Sequence, residues 1–313
     1  MKLLALDFGG TFVKQALSDE SGNLSDKKKT PAPSDSLDHF LSFIQEQADL
    51  CRGRIEGIAI SMPGFINSDT GYVKAAGSYG RIIREMPLAE MIRERTGLKT
   101  TIENDAKAAG YAELWQGNLQ HVNNAAALII GSGLGGCIIM DGRIRKGSRM
   151  TAGEFSGILL EPGKYGFENF LAGYAGMSAF LRSVAEKKHM DPALFETAGN
   201  ADDTVHKISG REVFEWIEQG DPETMEAYQK WLEILAWALF NLKQVIDPDR
   251  FVIGGGVSEN PRLIPDLQAA FDRYVEPVRK YGEQSVPIVA CRFANDANLI
   301  GAVGIYLHHE GCA

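Results

Sequence analysis

The feature that most constrains the fold is a pattern that occurs twice: a short apolar strand, a glycine-rich turn and a second strand. It spans residues 2–18, with Gly9-Gly10 at the turn, and returns at residues 123–140, with Gly131 to Gly136 at the turn. A repeat on this scale indicates a structural duplication rather than a short-period repeat array. The sequence therefore predicts two similar α/β halves, and a cleft between two halves is where ligands usually bind.

Length and charge agree with two domains. At 313 residues, with 44% hydrophobic and 23% charged residues, the chain is too long for one ordinary core. We expect an N-terminal α/β domain of residues 1–115 plus 299–313 and a C-terminal α/β domain of residues 116–298. The formal net charge of −9 argues against nucleic acid and anionic membranes as partners. Backbone N–H groups can still hold a phosphate without net positive charge.

The N-terminus and the cysteines predict a cytoplasmic location. The apolar run before Asp7 is too short for a signal peptide, and no stretch reaches the ~18 apolar residues of a membrane helix. The cysteines are widely scattered without a C-x-x-C pair, which disfavours a zinc knuckle or a disulfide framework. They are Cys51, Cys137, Cys291 and Cys312.

The first glycine turn has the composition of a phosphate-binding corner. Gly9 and Gly10 allow the backbone to approach an anion closely, and Thr11 adds a hydroxyl donor. Asp7, at the end of the strand, can hold Mg²⁺ directly or through water, and Lys14 is a further candidate phosphate contact. An ordinary hairpin turn also favours Asp, Gly and Thr, so the motif alone leaves both interpretations open.

Two later glycine runs are candidate nucleotide contacts. Gly131-Ser132-Gly133-Leu134-Gly135-Gly136 offers several N–H groups and a hydroxyl, but it is neither a dinucleotide fingerprint nor a P-loop. Gly254-Gly255-Gly256 follows a strand and precedes a helix. Three glycines there would let an adenine ring lie against the backbone, although a simple β–α turn is an equal alternative.

The segment Glu103-Asn104-Asp105 joins a strand to a helix and carries the candidate base. A carboxylate at Asp105 can accept the proton of a sugar hydroxyl as a phosphoryl group is transferred. Asn104 can donate to and accept from a pair of hydroxyls, although a helix N-cap is the alternative role for these side chains. Glu154 follows a basic loop that we expect to face solvent. That loop contains Arg143, Arg145, Lys146 and Arg149.

The order of these motifs resembles the ROK family, which contains bacterial sugar kinases and sugar-responsive repressors. The order is Asp-x-Gly-Gly-Thr, Pro-Gly, Asn-Asp, Gly-Ser-Gly-x-Gly-Gly, Ala-Gly-Glu and Gly-Gly-Gly, from Leu4 to about Ile305. The resemblance implies a two-domain actin-like ATPase fold (ribonuclease H-like) with an interdomain cleft. It also implies ATP and Mg²⁺ as cofactors, a sugar substrate and a homodimer.

Carried over by position, the resemblance assigns site residues. It implies that Asp105 is the general base, that Glu168 is a second sugar-binding acid, and that the closing helix packs back on the first domain. The implied phosphate contacts are Gly9, Gly10, Thr11, Gly131, Ser132, Gly133 and Gly135, with Gly254, Gly255 and Gly256 beside adenosine. The implied sugar contacts are Pro63, Gly64, Asn104, Asp105, Glu154 and Glu168.

Two departures from the family pattern place this sequence with the members that lack the cysteine-rich zinc loop. Ser156-Gly157 stands where members usually have Gly-His, and no cysteine lies between Cys137 and Cys291, so a structural zinc with thiolate ligands is excluded. The segment from Gly153 to Pro162 is similar to bacterial β-glucoside kinases. We therefore expect phosphorylation of a hexose or β-glucoside at the 6-hydroxyl, with room at the anomeric side.

Other functions remain open at this point. An N-acetylmannosamine or N-acetylglucosamine kinase, a non-catalytic sugar sensor and an ATPase acting on a protein partner are the alternatives. A repressor would carry a DNA-binding segment before the first phosphate strand, and Asp7 comes almost at once, so we expect none.

Overall fold

A computed structural model describes residues 2–195 and 207–308. The segment 196–221, which the sequence predicts to be a mobile or helical insertion, lies partly outside the described residues. Its described part contains a helix that begins at Gly210, with Ser209 as the N-cap in a capping box with Glu212.

The elements follow one another along the chain as strands and helices of ordinary length. The first part contains β1 (Lys2–Phe8), β2 (Phe12–Asp19), β3 (Leu24–Pro31), α1 (Leu37–Leu50), β4 (Gly57–Met62), β5 (Phe65–Asn67), β6 (Tyr72–Ala75), β7 (Arg84–Met86), α2 (Leu88–Thr96), β8 (Lys99–Asn104) and α3 (Asp105–Gln116). The rest contains β9 (Ala125–Ile130), β10 (Leu134–Met140), β11 (Arg143–Arg145), α4 (Ala172–Ala175), α5 (Met177–Lys187), α6 (Gly210–Glu218), α7 (Pro222–Ile246), β12 (Arg250–Gly254), α8 (Leu263–Val275), β13 (Ile288–Ala290) and α9 (Ala297–His308).

The chain divides into two compact units. The first unit comprises the residues up to His121, the segment Ile144–Ala152 and the residues from Asn295 onward. The second unit comprises Val122–Arg143 and Gly153–Ala294. Both ends of the chain therefore contribute to the first unit.

The first unit is built on a five-stranded sheet in the order β3-β2-β1-β4-β8. β1, β2 and β3 are antiparallel neighbours, whereas β4 and β8 run parallel to β1. A separate three-stranded sheet contains β5, β6 and β7. Both faces of β1 are buried from residue 3 onward, which explains the continuous apolar run at residues 3–6.

The second unit repeats this arrangement in the order β11-β10-β9-β12-β13. β10 is antiparallel to β9, and β12 pairs parallel to both β9 and β13. The predicted duplication is therefore confirmed. Asp141 and Gly142, a pair typical of two-residue hairpins, form the turn between β10 and β11, with both residues at positive φ.

Two helices that lie far apart in the sequence, α3 and α9, meet in the first unit. α9 packs against α3 and covers one face of the sheet, where Leu299 and Val303 join Leu3 and Ala5 in an apolar cluster. A Cβ added at Gly301 would overlap the carbonyl oxygen of Ala108, so the two helices approach at backbone distance. The sequence expectation that the last helix packs on the first domain is confirmed.

The other face of the same sheet is covered by α1, whose N-cap is Ser36. Ser36 accepts a hydrogen bond from the N–H of His39 at 3.1 Å. Phe40 and Ile44 of α1 are fully buried against Leu6 and Phe8. Among the described residues, no helix has both the length and the apolar character needed to span a bilayer.

Candidate active site

Asp7 lies at the end of β1 and is 5% exposed. Its Oδ1 accepts hydrogen bonds from Ser61 Oγ and Asn298 Nδ2, both at 3.0 Å, and its Oδ2 lies 3.7 Å from Lys14 Nζ. Burial raises the pKa of the Asp7 carboxyl, and the contacts with Lys14, Asn298 and Ser61 act in the opposite direction. Asp7, the candidate Mg²⁺ ligand, and Lys14, a candidate phosphate contact, are thus neighbours in the structure.

The first glycine turn is exposed beside this carboxylate. The N–H of Gly9 closes the turn on the carbonyl oxygen of Phe12 at 2.9 Å, and the Tyr79 hydroxyl donates to the Gly9 carbonyl at 2.7 Å. Gly10 and Thr11 follow at the tip of the turn. Hydrogen bonds therefore fix the backbone of the turn at Gly9, while Gly10 and Thr11 at its tip are exposed to solvent.

The donor set around Asp7 suits Mg²⁺ carried by a nucleotide. Mg²⁺ usually keeps several waters and is held by one or two carboxylates together with substrate phosphates. Within the described part of the chain, no group of three or more His, Cys, Asp or Glu residues is placed to hold a metal. One carboxylate beside an exposed phosphate-type turn is compatible with this mode of binding.

The second glycine run connects β9 to β10 in the second unit. The carbonyl oxygens of Gly131 and Ser132 accept hydrogen bonds from the N–H groups of Met177 and Ser178, at the start of α5. A Cβ added at Gly131 or Gly133 would meet no described atom within 4 Å. Packing among the described residues therefore does not require these two glycines, and their predicted contact with phosphate stays a prediction.

Other glycines of the same region are required by packing. A Cβ at Gly136, within β10, would overlap the Phe155 ring. Gly255 has φ of 89°, and a Cβ there would overlap the carbonyl oxygen of Ile130 at the end of β9. The turn Gly254–Gly256 thus lies directly beside the start of the Gly131 run, at one edge of the second sheet. Its role beside adenosine stays a prediction.

The junction between β8 and α3 places Asn104 and Asp105 in different roles. Asn104 is the N-cap of α3, because its Oδ1 accepts a hydrogen bond from the N–H of Lys107 at 3.1 Å. Its Nδ2 donates to the carbonyl oxygen of Gly64 at 3.1 Å. Asp105 is the first residue of the helix and partly exposed, with Oδ1 2.8 Å from the N–H of Ala106. Asn104, not Asp105, therefore caps α3. The hydrogen bond to Gly64 also brings Gly64, Asn104 and Asp105 close together.

The expectation that the basic loop faces solvent is wrong for Lys146. Its Nζ lies 3.0 Å from Oε2 of Glu103, and it also contacts Ser68 Oγ. The Glu103 side chain is 1% exposed, and that of Lys146 is 22% exposed. A lysine in a run of surface arginines gives no sequence signal for this contact, because its partner lies on a distant strand. Arg143, Arg145 and Arg149 are exposed, as expected.

Glu154 and Glu168 belong to the second unit. Glu154 is partly exposed and precedes a short 3₁₀ turn, Phe155–Gly157. Glu168 is exposed in a second 3₁₀ turn, which is anchored by the buried Asn169. Asn169 Nδ2 donates to the carbonyl oxygens of Glu161 and Lys164 at 2.8 and 3.0 Å. The loop is therefore fixed while the Glu168 side chain is accessible; its contact with a sugar stays a prediction.

The two matching sheets and their glycine turns define the class of the protein, a two-domain α/β protein with the actin-like ATPase fold. The chain belongs to the ROK family, whose family model matches residues 3–309. A β-glucoside kinase from Listeria innocua is 29% identical over 320 residues, which cover 99% of this chain and 99% of the relative.

Two solved structures extend the comparison. A ROK family glucokinase from Streptomyces griseus in complex with glucose and AMPPNP has a TM-score of 0.81 at 25% identity, covering 97% of this chain and 99% of that chain. A ROK family protein from Streptococcus pneumoniae in complex with sucrose has a TM-score of 0.83 at 28% identity, covering 99% of both chains. Within the family, the chain is an ATP-dependent sugar kinase.

Proposed function

We propose that this protein transfers the γ-phosphoryl group of ATP to the 6-hydroxyl of a hexose or β-glucoside, with Asp105 as the general base. The observation that carries the proposal is the junction at the head of α3. There Asn104 caps the helix and binds Gly64, and the partly exposed Asp105 carboxylate follows at once. A carboxylate fixed in this way can receive a proton from a sugar hydroxyl.

In the proposed reaction, the sugar oxygen attacks the γ-phosphorus as the bond to the leaving ADP breaks. The hydroxyl proton passes to Asp105 late in the step, because a loose transition state needs positioning more than a strong base. The exposed turns at Gly9–Thr11 and Gly131–Gly133 would hold the phosphates through their backbone N–H groups. Mg²⁺, held by the phosphates and through water by Asp7, would neutralise charge on the transferred group.

The β-glucoside class is supported by the surroundings of the candidate sugar acids. A Cβ added at Gly157 would meet no described atom within 4 Å, so this position leaves room where family members usually have His. Tyr165 and Phe167, beside Glu168, are 86% and 83% exposed, and apolar rings of this kind can stack on an aglycone. The Listeria innocua relative is a β-glucoside kinase.

The test is ATP-dependent ADP release across glucose, cellobiose, methyl β-glucoside, fructose, N-acetylglucosamine and N-acetylmannosamine. Turnover with the β-glucosides supports the proposed substrate class. Turnover with only the N-acetyl sugars would instead identify the protein as an N-acetylglucosamine or N-acetylmannosamine kinase. Release without sugar stimulation would favour an ATPase with a protein partner, and binding of sugar without release would favour a sensor.

The role of the base is tested by Asp105→Asn. We expect kcat to fall by about 10²- to 10⁴-fold, with smaller changes in both KM values. Asp38→Asn is the matched control, because Asp38 is an exposed acid in the first turn of α1. Full turnover in Asp105→Asn would contradict the assignment. The proposal further includes a homodimer and a cytoplasmic location, which gel filtration and cell fractionation test.

A further inference from the structure

We propose that Lys146 is a positioning residue that holds the sugar-binding edge formed by Gly64, Asn104 and Asp105. The inference rests on the proposed function, since that function defines the edge. Lys146 comes from the segment after the second hairpin, and this segment belongs to the first unit. No motif assigns it a role.

Lys146 forms an ion pair with Glu103. Glu103 is the penultimate residue of β8, and both of its carboxylate oxygens are engaged. Oε2 lies 3.0 Å from Lys146 Nζ, and Oε1 accepts the backbone N–H of Asn104 at 2.8 Å. The ammonium group therefore acts on the backbone of Asn104 through one intervening carboxylate.

Lys146 also contacts the Ser68 hydroxyl. The Ser68 side chain is 3% exposed and follows β5, the strand that begins immediately after Gly64. Lys146 Nζ thus touches two segments, one that ends in Asn104 and one that starts beside Gly64. These two segments also contact each other directly, because Asn104 Nδ2 donates a hydrogen bond to the Gly64 carbonyl oxygen.

The loop that carries Lys146 is closed on itself. The carbonyl oxygen of Lys146 accepts the N–H of Ala152 at 3.0 Å. Lys146 is therefore held by its own loop and contacts two segments of the candidate sugar site, the one that ends in Asn104 and the one that begins beside Gly64.

Stability alone does not account for this pair. Removing two charges from water costs several kcal/mol per ion, and well-packed apolar side chains of similar size are often at least as stabilising. An ammonium group instead has directed donors, here aimed at a carboxylate and a hydroxyl. What the pair adds is a fixed direction for the end of β8, and hence for the head of α3.

The test uses the sugar substrate that gives the highest turnover. We expect Lys146→Met to lower kcat/KM for the sugar by roughly 10- to 100-fold, mainly through KM, with the KM for ATP changed less than about twofold. Arg149→Met is the matched control, because it removes an exposed cation from the same loop. We expect Arg149→Met to keep the wild-type sugar KM; an equal loss in both variants would overturn the inference.

A double variant separates positioning from simple neutralisation of a buried charge. Glu103→Gln with Lys146→Met leaves no unpaired charge, so it is also the variant to use if Lys146→Met alone does not fold. A raised sugar KM in the double variant supports positioning. A wild-type sugar KM there would overturn it, because neutralisation would then be the only role of Lys146.

The same experiment distinguishes this inference from the proposed function. Wild-type turnover with an unchanged sugar KM in Lys146→Met overturns the inference and leaves the proposed function standing. If the wild type phosphorylates no sugar, the proposed function fails, and calorimetric titration with glucose and cellobiose decides the inference instead. A Kd weakened about tenfold in Lys146→Met supports it, whereas an unchanged Kd or no binding to the wild type overturns it.

Discussion

The side-chain Nδ2 of Asn104 donates a hydrogen bond to the backbone carbonyl oxygen of Gly64, with an N···O distance of 3.1 Å. The same side chain caps α3 through its Oδ1, which accepts the N–H of Lys107. One buried amide therefore sets both the start of the helix that carries Asp105 and the position of the Pro63-Gly64 loop. The two duties can be separated by mutation.

Asn104→Ser keeps a good helix cap but loses the donor to Gly64, whereas Asn104→Ala loses both. We expect Asn104→Ala to lower the free energy of unfolding by about 1 kcal/mol relative to Asn104→Ser. Both variants should raise the sugar KM, since both free the Gly64 loop. Urea denaturation and steady-state kinetics measure the two effects, and a wild-type sugar KM in Asn104→Ser would contradict the role of the Gly64 contact.

Gly157→His tests the room at the anomeric side. An imidazole at this position would occupy space that is open among the described residues. We expect kcat/KM for cellobiose and methyl β-glucoside to fall at least about tenfold more than kcat/KM for glucose. Gly157→Ala is the control for loss of the glycine itself, and it should change kcat/KM little for any of the three sugars. Equal effects of the His variant on all three sugars would contradict the explanation.

Gly301→Ala tests the contact between α9 and α3. The added methyl group would overlap the carbonyl oxygen of Ala108, so the helices must separate. We expect a loss of about 1–3 kcal/mol in the free energy of unfolding. Gly133→Ala, where the methyl group meets no described atom within 4 Å, should lose less. Equal stability of the two variants in chemical denaturation would show that the helices can separate without cost.

Asp221→Ala tests the electrostatic contribution of the N-cap of α7. Asp221 accepts hydrogen bonds from the hydroxyl and N–H of Thr224 and from Lys188, and these contacts lower the pKa of its carboxyl from 3.8 to about 2. Because the folded-state pKa is depressed, the carboxylate stabilises the protein above about pH 4 and loses this contribution as the pH falls toward 2. Asp221→Ala should therefore cost about 1–2 kcal/mol at pH 7.

The predicted pH dependence provides the check. The stability difference between wild type and Asp221→Ala should shrink as the pH falls from about 4 toward 2. Asp191→Ala is the control, because Asp191 caps only a short 3₁₀ turn through one backbone N–H. A difference that stays constant with pH would mean that the Asp221 charge does not contribute.

Local signals predicted much of the fold. Ser34-Asp35-Ser36 is a typical N-cap region, Gly97 a typical helix stop and Asp141-Gly142 a typical hairpin turn. In the structure α1 begins after Ser36, α2 ends before Gly97, and the turn after β10 contains Asp141 and Gly142. Each depends on residues within a few positions, so a short window of sequence contains the cause. The duplicated sheet could be predicted for the same reason, since each half begins with a strand and a glycine turn.

Contacts between distant segments could not be predicted in the same way. Nothing near Lys146 indicates that its charge meets Glu103, and nothing near Gly255 indicates that its missing Cβ makes room for Ile130. Both are consequences of strand order, which brings remote residues to one sheet edge. The contacts of Ser61 and Asn298 with Asp7 could not be predicted either, because neither residue belongs to a local chemical motif.

The packing of α9 on α3 has a consequence for biosynthesis. At about 5–20 residues per second, the stretch between Gln116 and Ala297 takes roughly 9–36 s to emerge from the ribosome. Throughout that interval the nascent first unit exposes the apolar side chains, such as Leu3 and Ala5, that α9 will later cover. The second unit, encoded almost entirely within this gap, can complete its core first. We expect translation pauses and ribosome-associated chaperones to influence the yield of this protein. They would act on the N-terminal residues, which are synthesised first and stay uncovered until α9 emerges.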